Sequence, residues 1–287
     1  MENMHIESFY DSDTGTFTHV IVDKSTNKCA VVDSVLDYDP NAARVTTKSA
    51  DKVISYIRDN KLENEWLLET HIHADHISAA FYIKEHIGGK AAIGTGIVKV
   101  LETWVPLFDT SVDTPLTGEQ FDELFEDGQE FEIGSLKAKV IHTPGHTPAC
   151  STYIVSNALF VGDTVFAPNL GAARADFPGG NASDLYNSIK RIYEYPDDSI
   201  MYLCHDYPKD GDKPLSNITV GEQKSSNIMI NGETDIDEFV KKREARDKTL
   251  AVPRLLLPSI QTNMRLGDFG VKAANGIQYI KVPINTV

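Results

Sequence analysis

The chain has 287 residues, 41% of them hydrophobic and 24% charged, a composition suited to a globular protein with a sizeable core and unlike that of a disordered chain. A formal net charge of −15 repels phosphate backbones and argues against nucleic-acid binding, but it leaves open an anionic small substrate beside a metal ion. Cys29, Cys150 and Cys204 are too few and too scattered for a disulfide framework, MENMHIESFYDSDTGTF has no apolar leader, and no run approaches the roughly 20 apolar residues of a membrane span, so a cytoplasmic, non-membrane protein is expected.

In chain order, IESFYDSDTGTFTHVIVD and KCAVVDSVLDY read as strands around the turns DSDTG and KSTNK, an antiparallel start. Residues 49–60 have helical spacing behind a serine cap, and WLLET (66–70) is a short buried strand. Residues 77–88 read as a helix ending at two glycines, and 90–96 as a strand. Residues 97–127 have no single pattern and close on the acidic run EQFDELFED. Strand pairs follow at 131–143, around Gly134, and at 150–166, turning at Ser156–Asn157. A helix at 183–196 stops at Pro196, and SIMYLCHDYP (199–208) is another strand. Beyond residue 208 the chain is polar, with a helix expected at 235–248 and a final strand in GIQYIKVPIN. One domain over 1–287 is expected, with a layered α/β core at 1–208 and a helical and strand extension at 209–287.

The segment THIHADHISAA (70–80) sets three histidines and an aspartate in six residues after the apolar WLL. On a strand, positions i and i+2 share a face, so His71 and His73 can converge, and Asp75 and His76 follow as the chain turns. A cluster this dense is costly to bury without a cation, which points to a metal site. His146 in HTPGHTPAC, Asp163 in LFVGDTVF and His205 in MYLCHDYP each follow an apolar run at a break, the placement of further ligands. His5, His19, His86 and His142 lack such a context, and buried cysteines are most simply small hydrophobes.

In order, THIHADH, TPGH, GD and HD resemble the motifs of the metallo-β-lactamase superfamily. The resemblance implies an αββα sandwich with the site at one edge of two sheets. It implies a first metal on His71, His73 and His146, a second on Asp75, His76 and His205, and Asp163 between them. LETHIHADHISAA, HTPGHTPACSTY, GDTVF, ARADFPGG, CHDYP and QTNMR are similar to the bacterial persulfide dioxygenase branch over nearly the whole chain. That branch implies one Fe(II) on His71, His146 and Asp163, the facial set of non-haem oxygenases, with the other ligand types around it. It implies oxidation of glutathione persulfide by O2 to sulfite and glutathione, with Arg174 (oriented by Asp176) and Tyr207 binding substrate, and a homodimer. The alternative is a glyoxalase II-type hydrolase of glutathione thioesters with two zinc ions or a mixed iron–zinc pair, because every ligand type for two metals is present. The basic run KKREARDK (241–248) is a solvated helix face, with a carboxylate-binding role as its alternative.

Overall fold

The computed structural model describes residues 3–209 and 211–286. Its two main sheets each have six strands. The first runs, in spatial order, Met4–Asp11, Thr16–Asp23, Lys28–Val32, Glu63–Leu68, Lys90–Gly94 and Glu123–Phe125. Its first two pairings are antiparallel and the next three parallel. The second keeps chain order through Glu130–Ile133, Leu136–His142, Ser151–Val155, Ala158–Phe160, Ile200–Tyr202 and Asn217–Thr219, with one parallel pairing, between Ala158–Phe160 and Ile200–Tyr202. A small third sheet joins Arg44–Thr46, Val35–Asp39 and Ile77–Ser78.

Among the described residues, seven α-helices cover the sheets: α1 (Lys48–Asp59), α2 (Ala80–Ile87), α3 (Ile97–Phe108), α4 (Ala182–Ile192), α5 (Val220–Ser226), α6 (Ile236–Asp247) and α7 (Leu256–Asn263). Strand periodicity dictates the layering. In Thr16–Asp23, Ile21 faces the second sheet, meeting Val140 and Tyr153, while Val20 and Val22 face the helices. Ala30 and Val32 face inward and Cys29 and Val31 outward, so these strands are apolar on both faces. Three apolar clusters result: one between the sheets, one between the first sheet and α1, α2, α3 and α7, and one between the second sheet and α4, α5 and α6. This is the αββα sandwich expected from the motifs.

Several local expectations change. Ile97–Phe108 is a helix: Ile97, Val100, Leu101, Trp104, Val105 and Phe108 form one buried stripe that β-branched residues and Pro106 obscure in the sequence. Residues Ile77–Ser78 form a short strand before α2, and the strand within 199–208 is only Ile200–Tyr202, after which the chain leaves the ladder for the site. Residues 276–285 form no strand; the regular element of the last segment is α7, inside RLLLPSIQTNMR.

Asp23 fastens the two sheets together. Its carboxylate accepts from Ser25 and Thr26 on its own turn and from the Ser135 backbone and hydroxyl on the second sheet. Burial alone would raise its pKa; the bonds from Ser25, Ser135 and Thr26 outweigh that and hold it well below the usual range. A depressed native pKa stabilises fully above the unfolded value of about 3.9 and is lost as pH falls toward the native one. Asp23→Ala is expected to melt below wild type at pH 7, and the gap is expected to close as thermal melts are repeated at pH values falling below about 4.

Candidate metal centre

Every expected donor lies at the end of a strand, where backbone leaves the ladder and side chains can converge. His71, His73, Asp75 and His76 occupy the loop between Glu63–Leu68 and Ile77–Ser78. His146 lies in the turn between Leu136–His142 and Ser151–Val155. Asp163 sits in a single helical turn, Gly162–Thr164, after Ala158–Phe160. Gly162 has φ +52°, and a Cβ there would stand 2.4 Å from Thr70 Oγ1, so only glycine lets this turn press against the histidine loop. His205 is delivered by a lone bridge to Thr16 and by the bond from Phe17 N to Cys204 O, 2.7 Å.

The seven side chains form one cluster. The His71 and His73 rings are 4.1 Å apart, His73 and His76 4.1 Å, and His71 and His146 5.1 Å. Asp163 Oδ2 is 3.8 Å from both His71 Nε2 and His146 Nε2, and its Oδ1 is 3.3 Å from His205 Nε2. Asp75 Oδ2 is 3.2 Å from His205 Nε2. The donors divide into His71, His146 and Asp163, and His73, Asp75, His76 and His205, each set lying within 4.8 Å. His73 therefore sits with the second set, not with His71 and His146 as a two-metal resemblance implies.

Each imidazole has one nitrogen committed to the protein. His71 Nδ1 is 3.0 Å from Thr70 Oγ1, which donates to Asp33 Oδ2 at 2.8 Å. Asp33 Oδ1 meets His73 Nε2 at 3.0 Å, so one carboxylate orients two rings. Thr16 Oγ1 lies 3.4 Å from His76 Nδ1 and 3.2 Å from His205 Nδ1. The Arg174 carbonyl holds His146 Nδ1 at 2.8 Å. The opposite atoms face one another: His71 Nε2, His73 Nδ1, His76 Nε2, Asp163 Oδ1 and His205 Nε2 are buried without a hydrogen-bond partner. They are half of the ten such atoms found among the described residues. Each such orphan costs about 1–3 kcal/mol, and five in one place fit a divalent cation, with ring orientation fixed from behind as metal histidines require.

The electrostatics agree. Burial, then repulsion by the neighbouring imidazoles, holds His71 well below its usual pKa and His76 at about 4, which keeps both neutral and able to ligate. Burial would also lower His73, but Asp33 and Glu69 outweigh it and raise the ring well above its usual value. Burial raises the Asp163 carboxyl against the pull of His205 and His146, a cost that a bound cation would remove.

A cavity of about 490 Å³ opens over Asp75, His146 and Asp163, walled by Phe166, Leu170 and Met229. Tyr207, 53% exposed, borders it and stacks on His205 at 6.0 Å between ring centres. Arg174 also lines it, but its guanidinium is largely committed: it binds both Asp176 oxygens, at 2.6 and 2.9 Å, donates to Ala251 O and covers the Phe177 ring. Its clearest role is through its carbonyl on His146. Arg246, from the basic run, and Arg254 stand at the cavity wall exposed and without a carboxylate partner among the described residues. Sequence reading passes over Asp33, Glu69, Thr16 and Arg254; the one local signal is that Asp33 and Glu69 each end an apolar strand. The thiols are buried, Cys29 and Cys150 pushed up to about 12 and Cys204 well above its usual value, so none is a nucleophile.

The metallo-beta-lactamase superfamily model matches residues 13–205. The chain belongs to that superfamily. Glyoxylase B2 of Dictyostelium discoideum is 49% identical over 98% of this chain and 97% of its own length. A probable metallo-hydrolase of Burkholderia pseudomallei is 42% identical over 99% of this chain and all of its own. Human mitochondrial persulfide dioxygenase ETHE1 is 28% identical over 88% of this chain and 84% of its own. The crystal structure of ETHE1 from Myxococcus xanthus, 25% identical, covers 92% of this chain and 100% of that one with a TM-score of 0.73. Among the described residues no helix is long and apolar enough to cross a membrane.

Asp33 and Glu69 raise the His73 pKa and so favour a proton on the ring in the metal-free protein, whereas a metal ligand must be deprotonated. A raised folded pKa therefore opposes binding through a proton that must leave when Nδ1 takes a cation. Calorimetry of zinc binding at pH 7, in buffers of different ionisation enthalpy, is expected to show more proton release by wild type than by Asp33→Asn.

Proposed function

We propose that this chain is a metal-dependent hydrolase of small thioesters of glutathione type, with two divalent metal ions. The observation that carries the reading is the second donor set: His73 Nδ1, His76 Nε2 and His205 Nε2 are buried and unpartnered beside the first, with Asp163 turned toward both. A single ion on His71, His146 and Asp163 would leave these three nitrogens without a cation. The near full-length relatives named as a glyoxylase and a metallo-hydrolase support the same reading.

The ions, when bound, would acidify a water molecule and polarise the thioester carbonyl. The protein's own groups do the rest. Asp33, Thr16 and the Arg174 carbonyl fix the tautomers and directions of the imidazoles. Phe166, Leu170 and Met229 form an apolar wall that removes water from around the sulfur and acyl group. Arg246 and Arg254, neither paired with a carboxylate among the described residues, offer guanidinium groups to the carboxylates at the far end of the substrate. Tyr207 borders the cavity beside His205, and local desolvation there, then the charges of Asp75 and Asp163, raise its pKa and favour the protonated hydroxyl.

One observation favours a second reading, the persulfide dioxygenase with one Fe(II). His71, His146 and Asp163 group without His73, as the facial two-histidine, one-carboxylate set does, and Arg174, Asp176 and Phe177 pack as a unit behind His146. The match to ETHE1 along that whole chain supports it.

Metal content and two assays decide between them. The hydrolase is expected to hold about two metal ions per chain and to cleave S-lactoylglutathione without oxygen. In Asp163→Asn, kcat is expected to fall by about 100-fold or more. About one iron per chain, with oxygen uptake matched by sulfite on adding glutathione persulfide and no thioester cleavage, would establish the dioxygenase instead.

A further inference from the structure

The loop carrying His73, Asp75 and His76 lies outside the main sheets, so its backbone groups need partners from elsewhere. The side-chain amide of Asn263 supplies them. Its Nδ2 donates to His73 O at 2.9 Å and His76 O at 2.8 Å, and its Oδ1 accepts from Ser78 N at 2.8 Å. Asn263 is 2% exposed, ends α7, and lies beyond the residues 13–205 that the superfamily model matches. Only a primary amide both donates twice and accepts in so small a space; a carboxylate would face two carbonyls without protons.

The connection continues toward the imidazoles. Ser78 Oγ donates to Glu69 Oε1 at 2.7 Å, and Glu69 Oε2 is 3.4 Å from His73 Nε2. The turn after α7 docks independently on the segment that follows this loop, at Ser78 and the first turn of α2: Phe81 N donates to Leu266 O at 2.9 Å, and Gly267, at φ +90°, leaves no space for a side chain, since a Cβ there would stand 1.8 Å from Ser78 O.

We propose that Asn263 is the positioning residue that sets the His73–His76 loop for metal binding, so that a segment outside the superfamily-matched region completes the metal centre. Three of the four donors of the second set are carried by the backbone that this amide holds. Their convergence requires that backbone to be fixed before a cation arrives. The inference rests on the metal-dependent reading above, not on the choice between hydrolysis and oxygenation.

The test uses the full chain, stripped of metal and reloaded with zinc. Zinc affinity is read by competition with a chromogenic chelator, and melting temperature is read for the metal-free protein. Asn263→Asp keeps the shape and removes the donors; it is expected to weaken zinc binding by about 10–100-fold, the effect typical of groups that orient metal ligands. Gly267→Ala, which changes no side chain in the loop, is expected to shift affinity in the same direction. Leu256→Ala, in the same helix and buried in the core with no polar group on the histidine loop, is expected to lower the melting temperature while zinc affinity stays at the wild-type value. Wild-type affinity in both Asn263→Asp and Gly267→Ala, or a loss that merely follows melting temperature across all three variants, would overturn the proposal. Should Asn263→Asp not fold, Gly267→Ala against Leu256→Ala decides by the same criterion. Failure of the wild-type chain to hold zinc or iron at all would be a different result, overturning the metal-dependent reading and this inference with it.

Discussion

Five imidazoles and two carboxylates crowd one end of the sandwich, and the protein solvates only one side of each ring. That arrangement is unfavourable without a cation. The rings repel one another's protons, so His71 and His76 remain neutral, and the Asp163 carboxyl is desolvated. Folding must supply the energy that holds such a cluster together before any ligand arrives. The three apolar interfaces between the four layers are its source, each fully buried leucine or isoleucine contributing about 1.5–3 kcal/mol.

The division of labour follows from where strands end. A residue within a ladder has its backbone satisfied and its side chain pointing into a packed layer. A residue just past the ladder is free to aim at a shared point, but its backbone then needs other partners. Asp33 meets that need on one side, accepting from Thr70 N while orienting His73 and, through Thr70, His71. Thr16 does so for His76 and His205. Asn263 does it for the loop backbone itself. These supports come from the first sheet, a strand end and the last helix, which explains why the layers and the site stand or fall together.

Hydrolysis and oxygenation differ here in little that a fold specifies. Either proposed reaction would place its substrate over the same floor of Asp75, His146 and Asp163 and against the same apolar wall. What separates them is how many donors engage metal and which metal it is, in keeping with the general finding that chemistry resides in sites grafted on folds. The cavity adds a constraint common to both. Two exposed arginines without carboxylate partners stand at its wall in a chain of net charge −15, a local reversal of sign suited to an anionic thiol carrier.

Residue pattern alone marked the side chains that gather at the site and the strand pairs that build the layers. HxHxDH, the later histidines and Asp163 are legible because ligands cluster at abrupt breaks after apolar runs, and the strand pairs are legible because their periodicity is local. It did not determine how the donors divide. His73 groups with Asp75, His76 and His205, and the nitrogen it leaves free is set by Asp33, forty residues away in the chain. It passed over α3, where a buried stripe is written in β-branched residues, and it expected a final strand where residues 276–285 form none. It read Arg174 as a substrate ligand, whereas tertiary contacts commit most of its guanidinium to Asp176 and Ala251 and turn its carbonyl to His146. The cause is the same in each case: residue type and spacing fix what a side chain can do, while the partner that commits one nitrogen, one guanidinium or one strand edge comes from a distant part of the chain and exists only once the layers have packed.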